Sequence, residues 1–315
     1  SSQRSRMAST SVDVDAGGTT TFTAAGTVTS GALLSYDASN DAAGDAVWAN
    51  DEATAFDWTF PGALSPTAVT DPNVDGITAA YDFPAAAATA STIGGLSGAN
   101  GQDGTFEIWF DPSGSTGQQV LLETGGDGNG TTIFIDLDAN ELVVQSQTGN
   151  GNDFSARAAF DEASATGFHQ LVGVLDVTNN AIGIYLDGQH IETVANPTGS
   201  ALTNWDGGDV AGLGRVNSAA STGTGQSFSN FEGQIGIVRF YNNKALDANE
   251  VANNFTAVAG VDNVTLTATT TGDQNYNDAV TLGSDLSASG DNITFASTVA
   301  LADNDLAVTT TGTTG

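Results

Sequence analysis

Apolar and polar residues alternate with a period of two along much of the chain. In TFEIWFDP (105–112), Phe106, Ile108 and Phe110 fall on one face and Glu107, Trp109 and Asp111 on the other, the pattern of a strand with one side on a core. TTIFIDLD (131–138) and ELVVQSQ (141–147) repeat it around the turn pair Ala139-Asn140. FHQLVGVLDV (168–177), AIGIYLDG (181–188) and QHIETV (189–194) continue it, and Asp187-Gly188 is a strong signal for a two-residue hairpin. Short strands punctuated by Gly, Asn and Asp predict an antiparallel sandwich.

The pattern changes once. QIGIVRFY (234–241) reads as a strand, with Ile235, Ile237 and Arg239 on one side and Gly236, Val238 and Phe240 on the other. ALDANEVANNF (245–255) then takes a helical period. Asp247 is a good N-cap, Glu250 completes a capping box, and Leu246 with Val251 forms a hydrophobic staple. Phe255 lies on the same face. One short helix near 247–256 is therefore expected. Arg239 is expected to hold a carboxylate through its fork of donors, and Lys244, ill-placed for the helix dipole, to be solvated.

The two ends of the chain resemble each other. VDVDAGGTTTFTAAGTV (12–28) aligns without gaps to LTATTTGDQNYNDAVTL (266–282), pairing Val12 with Leu266 and Phe22 with Tyr276. LAVTTTG (306–312) begins a third copy, and ITFASTVAL (293–301) echoes TTFTAAGTV. The spacing reads as a unit of about 40 residues in two strand–turn halves, stacked so that each unit buries its apolar face on a neighbour. These segments resemble the Thr/Gly-rich β repeats of large bacterial surface proteins of the filamentous-haemagglutinin kind. Three regions follow: a β-repeat segment at 1–31, a globular domain at 32–259 and a second β-repeat segment at 260–315.

Composition narrows the function. The 315 residues carry 37 acids against six Lys and Arg, a net charge of −31. Such a surface repels nucleic acid and anionic membranes and offers oxygen ligands to hard cations. With no cysteine, disulfides and thiolate metal sites are excluded. No apolar run approaches the ~18 residues of a membrane span, and no leader follows Arg4 and Arg6 in SSQRSRM, so a processed or excised secreted chain is expected. Nucleophilic catalysis lacks a constellation: His169 reads as a packing residue before a core strand and His190 as exposed. Alternating acids, Glu107 with Asp111 and Asp136 with Asp138, share strand faces but do not form a glycosidase pattern.

Taken in order, LLSYDASND (33–41), AAYDF (79–83), GTFEIWFDP (104–112), QVLLETGG (119–126), the 168–189 hairpin and FEGQIGIVRFYNNKALDANEVANNF (231–255) resemble the laminin G-like, concanavalin A-like jelly roll of bacterial secreted proteins. The resemblance implies an all-β fold: an antiparallel jelly-roll sandwich with flanking β-repeat strands and the one helix. It implies a calcium ion at the rim, for which Asp37, Asn40, Asp41 and Asp45 are the candidate ligands. YDFPAAAATAS departs from the family there and removes one set of acids. For rim ligands such as glycans, Trp205, Asp206 and Asp209 are the candidates among the loop tryptophans Trp48, Trp58 and Trp205. The expected function is a non-enzymatic bacterial surface or fibre-forming protein assembling with copies of itself through its terminal strands. The alternative is a calcium-dependent carbohydrate-binding adhesin, and a glycoside hydrolase ranks behind both.

Overall fold

The computed structural model describes residues 3–9, 12–14, 19–22, 27–42, 47–52, 56–60, 64–71, 74–84, 92–93, 101–124, 129–148, 153–163, 165–196, 201–202, 205–206, 211–215, 226–260, 264–270, 273–276, 279–282, 285–290, 292–300 and 306–310. The chain forms two compact units, one of Thr29–Val251 and one of Ser1–Val28 with Ala252–Gly315.

The first unit is an antiparallel jelly-roll sandwich, as the alternation predicts. One sheet runs in the order Gln189–Ala195, Ala181–Leu186, His169–Asp176, Gly104–Pro112, Gly233–Asn242, Ala79–Phe83, Pro66–Ala68, and Leu34–Asp37 also pairs with Gly233–Asn242. The other runs Asp153–Ala159, Glu141–Thr148, Asn129–Asp136, Gln118–Glu123, Ala211–Leu213, Thr92–Ile93, with Phe228–Asn230 added parallel to Gln118–Glu123. Phe106, Ile108 and Phe110 meet Ile133, Ile135, Leu142 and Val144 of the facing sheet in one buried core. The hairpin turn has positive φ at both Asp187 (49°) and Gly188 (74°), the geometry that matches the twist of its strands.

Strand Gly233–Asn242 departs from strict alternation. Its register against Gly104–Pro112 slips between Trp109 and Phe110, so that Trp109 lies opposite Ile237 and Phe110 opposite Ile235. The extra residue is Gly236, where a Cβ would come within 2.7 Å of Ile77. The bulge puts Ile235, Val238 and Phe240 together in the core, whereas the sequence pattern grouped Ile235 with Ile237 and Arg239. A glycine within a strand is the usual mark of such a bulge.

On the opposite face of the same sheet sits a buried charge. The Glu107 carboxylate has no exposed surface, and its Oε1 accepts hydrogen bonds from Arg239 Nη1 (2.8 Å), Trp109 Nε1 (2.8 Å) and Gln170 Nε2 (3.0 Å). One oxygen thus ties three adjacent strands. Arg239 does hold a carboxylate, as expected. Lys244 does not stand free in solvent: its Nζ lies 2.7 Å from Glu250 Oε1. The helix, Ala248–Ala259, begins as its sequence dictates, with Asp247 Oδ1 accepting from the amides of Asn249 and Glu250 and Glu250 Oε2 accepting from Asp247 N–H. Leu246 and Val251 pack with Val172, Val174, Tyr185 and Tyr241.

The second unit is a stack of parallel strands in three sheets. Gln3–Ser9, Val264–Thr270, Asp285–Gly290 and Leu306–Thr310 form one; Val12–Val14, Gln274–Tyr276 and Ile293–Phe295 a second; Thr19–Phe22, Ala279–Leu282 and Val299–Ala300 a third. This is a β-solenoid in which each of three coils supplies one strand to each sheet and Leu306–Thr310 adds a fourth strand to the first. Tyr276 and Phe295 stack with ring centroids 4.8 Å apart on successive coils. Two expectations are corrected. The repeat is a single coil of 20 residues, since Leu266 pairs with Leu286 and Leu286 with Leu306; the unit of 40 is two coils. The ungapped alignment is out of register, because Val12 lies beside Gln274 and Phe22 beside Leu282. The N-terminal strands pair with strands of the same chain. The jelly roll is inserted between the first and second coils.

Removing Arg239 leaves Glu107 charged and buried. Arg239→Met is expected to destabilise the protein by about 3–5 kcal/mol, read from the shift in its urea unfolding midpoint. A change below about 1 kcal/mol, the scale of an exposed pair, would show that the pair is hydrated in solution.

Candidate functional site

A cleft of ≈ 430 Å³ opens where three strands of the first sheet end, lined by Ala68, Val69, Thr70, Asp71, Asp111, Thr166, Gly167, Phe168 and Gln234. Asp111 lies near the end of Gly104–Pro112, on the same face as Glu107, and pairs across the sheet with Gln234. Thr166, Gly167 and Phe168 lead into His169–Asp176, the strand that carries Gln170. The strands that Glu107 ties together therefore also deliver Asp111, Gln234 and Phe168 to one rim.

Asp71 closes the cleft from the side. It is nine-tenths buried, and its Oδ2 accepts the Phe168 N–H at 2.7 Å. This contact joins segments 97 residues apart and depends on Gly167, whose φ is +80° and whose Cβ, if present, would lie 2.3 Å from Asp71 Oδ2. Asp111 sits in the field of its neighbours. Burial raises its pKa, the charge of Asp71 raises it further with a smaller contribution from Glu162, and His169 acts in the opposite direction. His169 is itself engaged, with Nδ1 2.9 Å from Asp187 Oδ2 and its ring against Phe110 and Phe160. Among the described residues no lysine or arginine lines the cleft. The arrangement offers carboxylate acceptors, an amide and two hydroxyls.

The residues singled out in sequence lie elsewhere. Asp37 Oδ1 caps a short 3₁₀ turn by accepting Ser39 N–H, Asn40 donates to Asp51, and Asp41 accepts from Ala49 N–H and the Tyr81 hydroxyl. These groups hydrogen-bond within the loop's own structure, and no group of three or more His, Asp or Glu that could hold a metal ion occurs among the described residues. Asp45 and Asp209 lie outside the described residues. Trp205 is corrected from rim to core: it has no exposed surface, packs edge-on against Phe106 and Phe240, and donates Nε1–H to Gln102 O at 2.7 Å. Asp206 beside it is 2% exposed. Trp48 and Trp58 are likewise core residues, paired across a two-stranded ribbon. Large aromatics in loop-like sequence are here filling the space under the sheets.

The other acid pairs separate. Glu107 is locked in its ion pair, so it cannot act with Asp111. Asp136 accepts from Gln118 and from Ala139 N–H, and Asp138 from Gly117 N–H, as turn caps. His190 bonds Thr193 Oγ1 at 2.8 Å. Among the cleft residues the sequence had singled out Asp111, but with the wrong partner; Asp71 and Gln234 carried no signal beyond a turn and a strand end.

A model of the concanavalin A-like lectin/glucanases superfamily, in its laminin G form, matches residues 85–252. No curated protein matches the chain. Among solved structures, one from work on cell entry of botulinum neurotoxin type C, described as dependent upon interaction with two ganglioside molecules, is 12% identical over 73% of this chain and 52% of that chain, with a TM-score of 0.55. The binding domain of botulinum neurotoxin DC in complex with rat synaptotagmin II is 11% identical over 72% and 51%, with a TM-score of 0.53. The same domain in complex with SialylT gives 11%, 72%, 52% and 0.52. At these identities the likeness is one of fold, and the chain spans about half the length of the solved chains it matches.

Two outcomes follow from the cleft's geometry. Gly167→Ala forces a left-handed residue to carry a Cβ against Asp71, so a loss of at least about 1–2 kcal/mol is expected, seen as a lower Tm. Asp111 has a raised pKa in the folded state, so the native protein binds more protons than the unfolded chain and the residue costs stability as pH rises through that pKa. Asp111→Asn is therefore expected to raise Tm at neutral pH, with the advantage shrinking as the buffer is made acidic enough to protonate Asp111 in both states.

Proposed function

Because the chain belongs to the concanavalin A-like lectin/glucanases superfamily, we propose that its jelly roll is a non-catalytic glycan-binding module of an extracellular protein, with the Asp71–Asp111–Gln234 cleft as its binding site. The observation that carries this is the cleft itself: a rim cavity lined by the polar groups of Asp71, Asp111, Gln234, Thr70 and Thr166. Sugars present many hydroxyls, and a concave site with a few convergent polar groups suits them.

The fold neighbours support the choice of class, being binding domains associated with gangliosides, SialylT and a protein receptor. They favour carbohydrate binding over the purely structural, fibre-forming role expected from the repeats. The solenoid then serves as the support on which the module is carried. Among the described residues no helix is long and apolar enough to cross a membrane, and the charge of −31 favours solubility in a saline exterior.

Binding rather than turnover fits the state of the acids. Asp71 is pinned as an acceptor by the Phe168 amide. Asp111 has Asp71 for a neighbour, and Glu107 on the same strand face is neutralised by Arg239.

The test is a glycan array followed by titration of the best ligand. Saturable binding is expected, weakened about tenfold by Asp111→Asn and by Gln234→Ala, the scale of one buried charge-assisted or neutral hydrogen bond left unmade. Binding that both variants leave intact would place the site elsewhere. Release of reducing sugar from the bound glycan, lost on Asp111→Asn, would make the module an enzyme.

A further inference from the structure

The cleft is unusual in the sign of its charge. Two carboxylates, Asp71 and Asp111, line it, Glu162 adds to the field at Asp111, and among the described residues no lysine or arginine lines it. The nearest basic group, His169, is turned to Asp187 at 2.9 Å. Arg239, on the strand that supplies Gln234, is taken by Glu107. Anionic sugars entering this cleft would bring like charges together in a partly desolvated space, where repulsion is stronger than in bulk water. A neutral sugar can only hydrogen-bond. A cationic guest both bonds the acceptors and offsets the repulsion between the two acids.

We infer that the cleft selects glycans bearing a free, protonated amine, as in de-N-acetylated hexosamines, over their N-acetylated forms, and rejects sialylated or uronic-acid sugars. This rests on the reading of the cleft as the glycan site and goes beyond it by naming the substrate class. The amine lies against Asp111, the less restrained of the two acids, while Asp71 keeps its bond to Phe168 N–H. Gln234, the cross-strand neighbour of Asp111, bonds sugar hydroxyls and does not distinguish amine from acetamide.

The experiment compares chitosan, chitin and oligouronate oligomers of equal length by calorimetric titration of the full chain, at mildly acidic pH and low salt. The expected result is an affinity for the free-amine oligomer about tenfold above that for the acetylated one, the low end for one added hydrogen bond to a charged group, with no binding of the uronate. The preference should fall as salt is raised. Asp111→Asn should collapse the ratio toward unity, while Gln234→Ala should weaken both ligands and keep it. Glu52→Gln removes a charge from an exposed position outside the cleft and should leave the ratio unchanged, which separates the cleft from general attraction to an acidic protein.

Equal affinity for the amine and acetylated forms, or tight binding of the uronate, overturns the selectivity while leaving the cleft as a glycan site. A preference that Glu52→Gln reduces as much as Asp111→Asn also overturns it. Binding of no oligomer in the panel, together with a blank glycan array, overturns both readings. Because Asp111→Asn is expected to raise Tm, loss of binding in that variant cannot be put down to unfolding.

Discussion

One carboxylate oxygen organises the first sheet of the sandwich. Glu107 Oε1 receives donors from Arg239, Gln170 and Trp109, and so from the strand of Glu107 itself and from its neighbours on both sides. A charge with no exposed surface is tolerable only when paired and hydrogen-bonded. That requirement makes the three strands a unit: a slip of one residue would turn the partners to the other face and leave a buried ion alone. Gln170 extends the network, its Oε1 accepting Gly188 N–H at the hairpin turn.

The cleft inherits its precision from this unit. Asp111 follows Glu107 by four residues on one strand, Gln234 precedes Arg239 by five on the next across the Gly236 bulge, and Phe168 precedes Gln170 by two on the third. With the strands fixed at Glu107, their ends cannot move independently, so the rim groups are held on a rigid scaffold rather than on free loops. The charges are treated in opposite ways. Glu107 is paired with Arg239, while Asp111 is left with a raised pKa beside Asp71. Groups kept in an environment that costs stability are a common mark of binding sites.

The solenoid poses a folding constraint. The first coil pairs with the second across more than 230 intervening residues, and closing so long a loop is entropically costly and slow. Within the jelly roll, however, Leu33 N–H bonds Phe240 O and the Tyr241 hydroxyl bonds Thr29 O. The start of the insertion thus lies beside its last strand within the sandwich.

Much of this was legible in the chain. The faces of 104–112, the Asp187-Gly188 turn, the Asp247–Glu250 box and the antiparallel sandwich follow from local rules: side chains alternate along a strand, positive φ suits particular residues, and caps satisfy amides within one turn. The tertiary structure alone decided the rest. It set the bulge at Gly236, since a glycine in a strand does not say which neighbour needs the space. It put Trp205, Trp48 and Trp58 in the core, and it chose the register of the Thr-rich coils, whose strands fit several alignments almost equally well. Above all it chose which of 37 acids matter. An aspartate in sequence is the same group everywhere; only the distant segments that desolvate it and place a second charge beside it raise the pKa of Asp111, and the same causes act at Asp51.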